Sequence, residues 1–135
     1  MTSETMFQSP LVDTEEHHVA LRESVGKLVA KYGRGYFQDI VARDEKPDEL
    51  WQELGSAGFL GAHIDLNVII EEVAAQGCPL LYLVIQSICA PIIARHGSDD
   101  LKKRWLPALA SGTKKMSFAI TEPDAGSNTY RISTT

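Results

Sequence analysis

Long apolar runs are missing from this sequence: the most apolar stretch, Leu80 to Ala94, is 15 residues long and contains Gln86, Ser87 and Pro91, short of the ~20 residues a membrane-spanning helix needs. No membrane span is expected, and the stretch is read as a buried core helix. Cysteine is scarce as well. Cys78 and Cys89 are the 2 cysteines, too few and too far apart for a zinc knuckle or a redox pair, and both lie among apolar residues, as buried thiols do in a reducing compartment. Basic charge is short: 13 Lys and Arg against 18 Asp and Glu give a net charge of −5. No basic stripe appears, since Lys102, Lys103 and Arg104 form only a short cluster just after Asp99 and Asp100, so no nucleic-acid partner is expected. The opening residues, MTSETMFQSPLVDTEEHH, hold acids but no Lys or Arg, the opposite of a secretory or mitochondrial leader. A cytoplasmic location is therefore expected. Internal repeats and low-complexity tracts are also lacking.

What is present reads as an ordinary globular chain of 135 residues, 44% apolar and 23% charged. A chain of this length buries about two thirds of its unfolded surface, so neither disulfides nor a structural metal is required. Asp13 with Glu16 resembles a capping box, and Leu21, Val25, Leu28, Val29 and Tyr32 then form the stripe of an amphipathic helix. Tyr36, Phe37, Ile40 and Val41 carry apolar character past Gly33 and Gly35, so either one helix to about Ala42 or a break at the glycines is expected. Pro47 can open a short second helix bearing Leu50, Trp51 and Leu54, closed by Gly55 and Gly58. A third places Leu66, Ile69, Ile70, Val73 and Ala74 on one face and stops at Gly77 and Pro79. The fourth, from about Pro79 to His96, is apolar nearly all round; it should lie at the centre of the bundle and kink at Pro91. Ser98 can cap a fifth helix whose Leu101, Trp105, Leu106 and Leu109 pack inward.

Chemistry-bearing side chains are sparse along these helices. Glu71 and Glu72 tempt a catalytic reading, but adjacent helical residues do not face each other, so a solvated edge is expected. His17 and His18 diverge by the same rule, His63 lies in a connection, and His96 sits at a helix C-terminus, where a cation is favoured. No metal site is expected.

From Met116 the period changes to two. Met116, Phe118 and Ile120 alternate with Ser117, Ala119 and Thr121, which reads as a strand whose partners would lie beyond Tyr130. Glu122-Pro123-Asp124-Ala125-Gly126 then forms a turn, with Gly126 allowing a backbone conformation or a close approach that a Cβ would forbid, and Ser127, Asn128 and Thr129 follow. Such a strand end can hold a phosphate or the polar edge of an aromatic ring, and can equally be just a turn.

The stretch Phe118-Ala119-Ile120-Thr121-Glu122-Pro123-Asp124-Ala125-Gly126-Ser127 closely resembles the flavin-binding signature of the acyl-CoA dehydrogenase family. Trp51, Leu54, Gly55, Gly58, Phe59 and Gly61, the pair Glu71-Glu72, Gly97, and Lys103 to Gly112 also fall where the family has similar residues. The resemblance implies a mainly α fold: an N-terminal helical bundle, residues 1–112, followed by the first strand of a middle β-domain, residues 113–135. It implies FAD as cofactor. Phe118, Ala119, Ile120 and Thr121 would lie along the isoalloxazine, Gly126 would permit the close approach, and Ser127 would sit near the pyrophosphate and the acyl-CoA substrate.

The implied reaction is α,β-dehydrogenation of an acyl-CoA thioester, with electrons passed to an electron-transfer flavoprotein by a homotetramer. The family's base is a carboxylate of the C-terminal domain, so no catalytic residue is assigned in this chain, Glu122 included, and the chain is expected to be inactive by itself. In three places it departs from the pattern. Ile64 alone joins His63 to Asp65 where the family carries a Gly-rich loop, Asp124 and Asn128 replace a usual Gly and Asp, and the chain stops at Thr135. Alternatives on the same scaffold are an acyl-CoA oxidase or a flavin monooxygenase. The alternative from another class is a non-catalytic helical interaction module with an exposed strand edge.

Overall fold

The computed structural model describes residues 15–62 and 65–134. Its elements are α1 (Glu15–Val29), α2 (Gly33–Ala42), α3 (Asp48–Ser56), α4 (Leu66–Ala75), α5 (Leu81–His96) and α6 (Asp99–Ala110), with 3-10 turns at Phe59–Gly61 and Thr129–Arg131. The mainly helical class read from periodicity is the class observed. Asp13 of the expected capping box, together with His63, Ile64 and Thr135, lies outside the described residues.

The two options left open at the glycines resolve as a break. Ala30, Lys31 and Tyr32 form a turn between α1 and α2, and Gly33 takes a left-handed backbone with φ of 67°, a conformation that costs a residue with a Cβ about 1 kcal/mol or more. Val25 and Val29 on α1 are fully buried, as are Ile69 and Val73 on α4, and the two helices pack along each other. A Cβ at Gly26 would stand 2.9 Å from Glu72 Oε1, so the end of that flexible side chain lies against the glycine. Leu50, Trp51 and Leu54 of α3 complete the core with Leu60, Leu66, Cys78, Leu80 and Leu83. Each such aliphatic side chain contributes about 1.5–3 kcal/mol by leaving water.

α5 corrects the sequence reading. It is not buried on all sides: Leu83, Gln86 and Cys89 face the core, whereas Leu81 is 70% exposed and Ile92 48%, with Val84 and Ile88 between them on the surface. α5 packs chiefly against α4 and α6, and Leu81, Val84, Ile88 and Ile92 are left exposed. The helix continues through Pro91 to His96. In α6, Ser98 caps as expected, its Oγ accepting the Leu101 amide at 3.3 Å. Leu109 is buried and Trp105 and Leu106 are half-buried, but Leu101, in the first turn, is exposed.

Candidate functional site

The region from Gly112 to Thr134 is hung on the helical body by a few contacts. Gly112 has φ of 74°, and its carbonyl accepts the Trp51 indole N–H at 3.0 Å and the Gln52 amide at 3.1 Å. Room for this turn depends on Gly55, because a Cβ there would collide with the Ser111 carbonyl. Lys115 pairs with Asp48, and its ammonium lies 5.6 Å from the Trp51 ring centroid and 5.3 Å from that of Tyr82. Those two rings meet edge to face at 6.0 Å. Gln86, buried in α5, donates from Nε2 to the carbonyls of Leu60 and Leu109 at 3.1 and 2.9 Å. It ties together the α3 exit, α5 and the end of α6.

Beyond Lys115 the expected strand is not formed among the described residues. Residues 115–120 carry no secondary structure, and none of the amides from Met116 to Thr121 donates a backbone hydrogen bond. A strand is held by neighbouring strands, and among the described residues this segment has none. Phe118 and Ile120 are 41% and 43% exposed, and Ala119 and Thr121 are exposed as well.

The turn that follows is well defined. The Glu122 amide donates to the Ala125 carbonyl at 3.0 Å and the Ala125 amide returns to the Glu122 carbonyl at 3.2 Å, with Ala125 only 1% exposed. Gly126 and Ser127 follow on the surface. The left-handed option raised for Gly126 does not apply: its φ is not positive, and no atom stands within 4 Å of where a Cβ would be. The chain's own packing thus gives no reason for glycine at this position, leaving the open space itself as the feature a ligand could use.

Electrostatically, Glu122 stands out. Hydrogen bonding from the Thr134 hydroxyl, then from the Ser133 and Thr134 amides, holds its carboxyl down at about 2. It is an acceptor fixed in its ionised form, which suits it poorly to act as a base near neutral pH. Burial pushes both cysteine thiols up, which disfavours the reactive thiolate form of Cys78 and Cys89. Glu71 is exposed and pairs with Arg22 at 2.5 Å, while Glu72 accepts Gln76 Nε2 at 2.7 Å; the two carboxylates form no pair. His17 and His18 do not diverge. They reach the two oxygens of Asp65 at 3.1 and 3.6 Å, since a carboxylate just ahead of α4 can span neighbouring helical positions. Among the described residues no three His, Cys, Asp or Glu side chains are grouped to hold a metal ion, and no helix is long and apolar enough to cross a membrane.

Of the residues named from sequence, Phe118, Ala119, Ile120, Thr121, Gly126 and Ser127 all lie on this one surface segment. Sequence reasoning missed Lys115 and the structural part of Glu122. No local signal points to Glu122, because its donors stand 11 and 12 residues further on. Gln86 had a signal, as a single amide within an apolar helix must find buried partners.

The family described as "Acyl-CoA dehydrogenase, N-terminal domain" matches residues 14–113. This chain belongs to the acyl-CoA dehydrogenase family. Acyl-CoA dehydrogenase FadE12 of Mycobacterium tuberculosis is 43% identical over 143 residues, covering 96% of this chain and 37% of that protein. Glutaryl-CoA dehydrogenase of Desulfococcus multivorans is 33% identical over 125 residues, covering 89% of this chain and 28% of that protein. Mitochondrial isovaleryl-CoA dehydrogenase of Bos taurus is 27% identical over 129, with 84% and 30% covered. The chain therefore spans well under half the length of these relatives. The FadE12 alignment runs over more positions than the 135 residues here, so that relative carries residues with no counterpart in this chain.

Proposed function

We propose that this chain is the N-terminal portion of an FAD-dependent acyl-CoA dehydrogenase that catalyses α,β-dehydrogenation of an acyl-CoA thioester. The division at residues 112 and 113, into helical domain and start of a β-domain, belongs to this reading. The observation that carries it is the coincidence of family membership with an exposed segment, holding Phe118, Ile120 and Thr121, whose amides make no backbone hydrogen bond among the described residues.

The residues present fit a flavin. Phe118 and Ile120 offer apolar surface, Ala119 lets the chain lie flat, Thr121 offers a hydroxyl for the polar edge of the ring, and Gly126 leaves open the space a Cβ would fill. Ser127 offers a second hydroxyl, for the pyrophosphate and the acyl-CoA. FAD, when bound, supplies the acceptor for the hydride that leaves the substrate β-carbon. The part of this chain is to bind, to orient and to exclude water; the carboxylate that removes the α-proton lies outside it, so the chain alone is inactive. An electron-transfer flavoprotein as electron partner, a homotetramer and a cytoplasmic location complete the reading.

Titration of the full-length protein with FAD, followed by flavin fluorescence, tests it. Stoichiometric binding is expected, with Thr121→Ala weakening retention about tenfold, the worth of one hydrogen bond at a site where its partner is left unmet. A full-length protein that never takes up FAD would instead favour a non-catalytic helical module. The apolar stripe of Leu81, Val84, Ile88 and Ile92 on α5 would then be its assembly face.

A further inference from the structure

The contacts that shape the signature turn come from its own far end. Glu122 Oε2 accepts the Ser133 amide and the Ser133 hydroxyl, both at 3.0 Å, and Oε1 accepts the Thr134 amide at 2.9 Å. The Glu122 main chain is meanwhile locked to Ala125 in both directions. One residue thus closes two nested loops, a short one through its backbone and a longer one through its side chain. Gly126 and Ser127 lie on the longer loop, and Thr121 is the residue before it.

Among the described residues, no ion pair and no side-chain hydrogen bond joins residues 123–132 to the helices. Ala125 supplies apolar anchoring, but an alanine methyl group does not orient a main chain. A carboxylate accepting two backbone amides does, because charge-assisted bonds are short, directional and roughly twice as strong as neutral ones.

We propose that Glu122 is the positioning residue of the flavin cradle: its carboxylate folds Ser133 and Thr134 back onto the turn and so fixes the directions in which Thr121, Gly126 and Ser127 face a bound flavin. The proposal rests on the flavin reading above. It gives the acidic residue of the signature a task in shaping the site, one that requires it to stay ionised and saturated with hydrogen bonds. The depressed carboxyl of Glu122 agrees with that task.

Two measurements on Glu122→Gln and Glu122→Ala test it separately. Amide exchange in the 135-residue chain reads the tie: the Ser133 and Thr134 amides should lose their protection in both variants. FAD titration of the full-length protein reads positioning: affinity should fall about tenfold or more, while the thermal midpoint of the helical body stays unchanged, because the loop lies outside its core. Unchanged protection at Ser133 and Thr134 overturns the tie. Lost protection with unchanged FAD affinity overturns the positioning role and leaves the flavin reading standing. Wild-type protein that binds no FAD overturns the flavin reading, and the cradle with it, while amide exchange still reports whether Glu122 closes the loop.

Discussion

Glu122 gives the clearest pH dependence at the scale of a single residue. Its folded-state value of about 2 lies below the ordinary 4.5, so the tie is at full strength above about 4.5 and is lost as pH falls toward about 2. The donors facing it are neutral amides and hydroxyls, so added salt should change little. Carboxyl-carbon NMR through this range checks it; a midpoint at the ordinary value would mean the carboxylate is free. Lys115 contrasts with it. It answers to an opposite charge and two ring faces at once, and it fixes where the segment leaves the helical body. Neither role is visible locally, because Asp48, Trp51 and Tyr82 are brought to Lys115 only by folding.

Single elements follow their local signals closely. Ser98 precedes Asp99 and Asp100 and caps α6, satisfying an orphan amide while the acids complement the helix dipole. Ser98→Ala should cost about 1 kcal/mol, measured as a lower urea midpoint with unchanged slope. An unchanged midpoint would show that α6 is held by Leu109 and Gln86 alone. The break between α1 and α2 and the stop of α4 at Ala75 also sit beside the glycines that announced them. The expected strand failed for a different reason. Alternation from Met116 to Thr121 states what the segment favours, yet a strand needs partners, and its propensity cannot supply them.

Over the whole molecule, protection is expected to divide in two. Amides of α1 and α4, which pack on the buried Val25, Val29, Ile69 and Val73, should exchange only through global opening. Amides from Met116 to Thr121, with no backbone partner, should exchange orders of magnitude faster in the isolated chain. Strong protection there would reveal pairing with another chain. The exposed stripe on α5 belongs to this scale as well. Composition marked α5 as the most apolar helix, but how much of it is covered depends on how many other elements surround it.

The sequence by itself determined the helices, the Ser98 cap of α6 and the family, and it grouped Phe118, Ala119, Ile120, Thr121, Gly126 and Ser127 in one contiguous stretch. All of these rest on near neighbours: a 3.6-residue period, a capping hydroxyl three residues ahead, a glycine at a turn, a contiguous signature. Only the tertiary structure decided that α5 shows one apolar side to solvent, that Gln86 joins the ends of two helices, that Lys115 is clamped over two rings, and that Glu122 is saturated by Ser133 and Thr134. Each of these depends on distances between residues far apart in the chain, and a linear pattern carries no such distances until burial of the core fixes them.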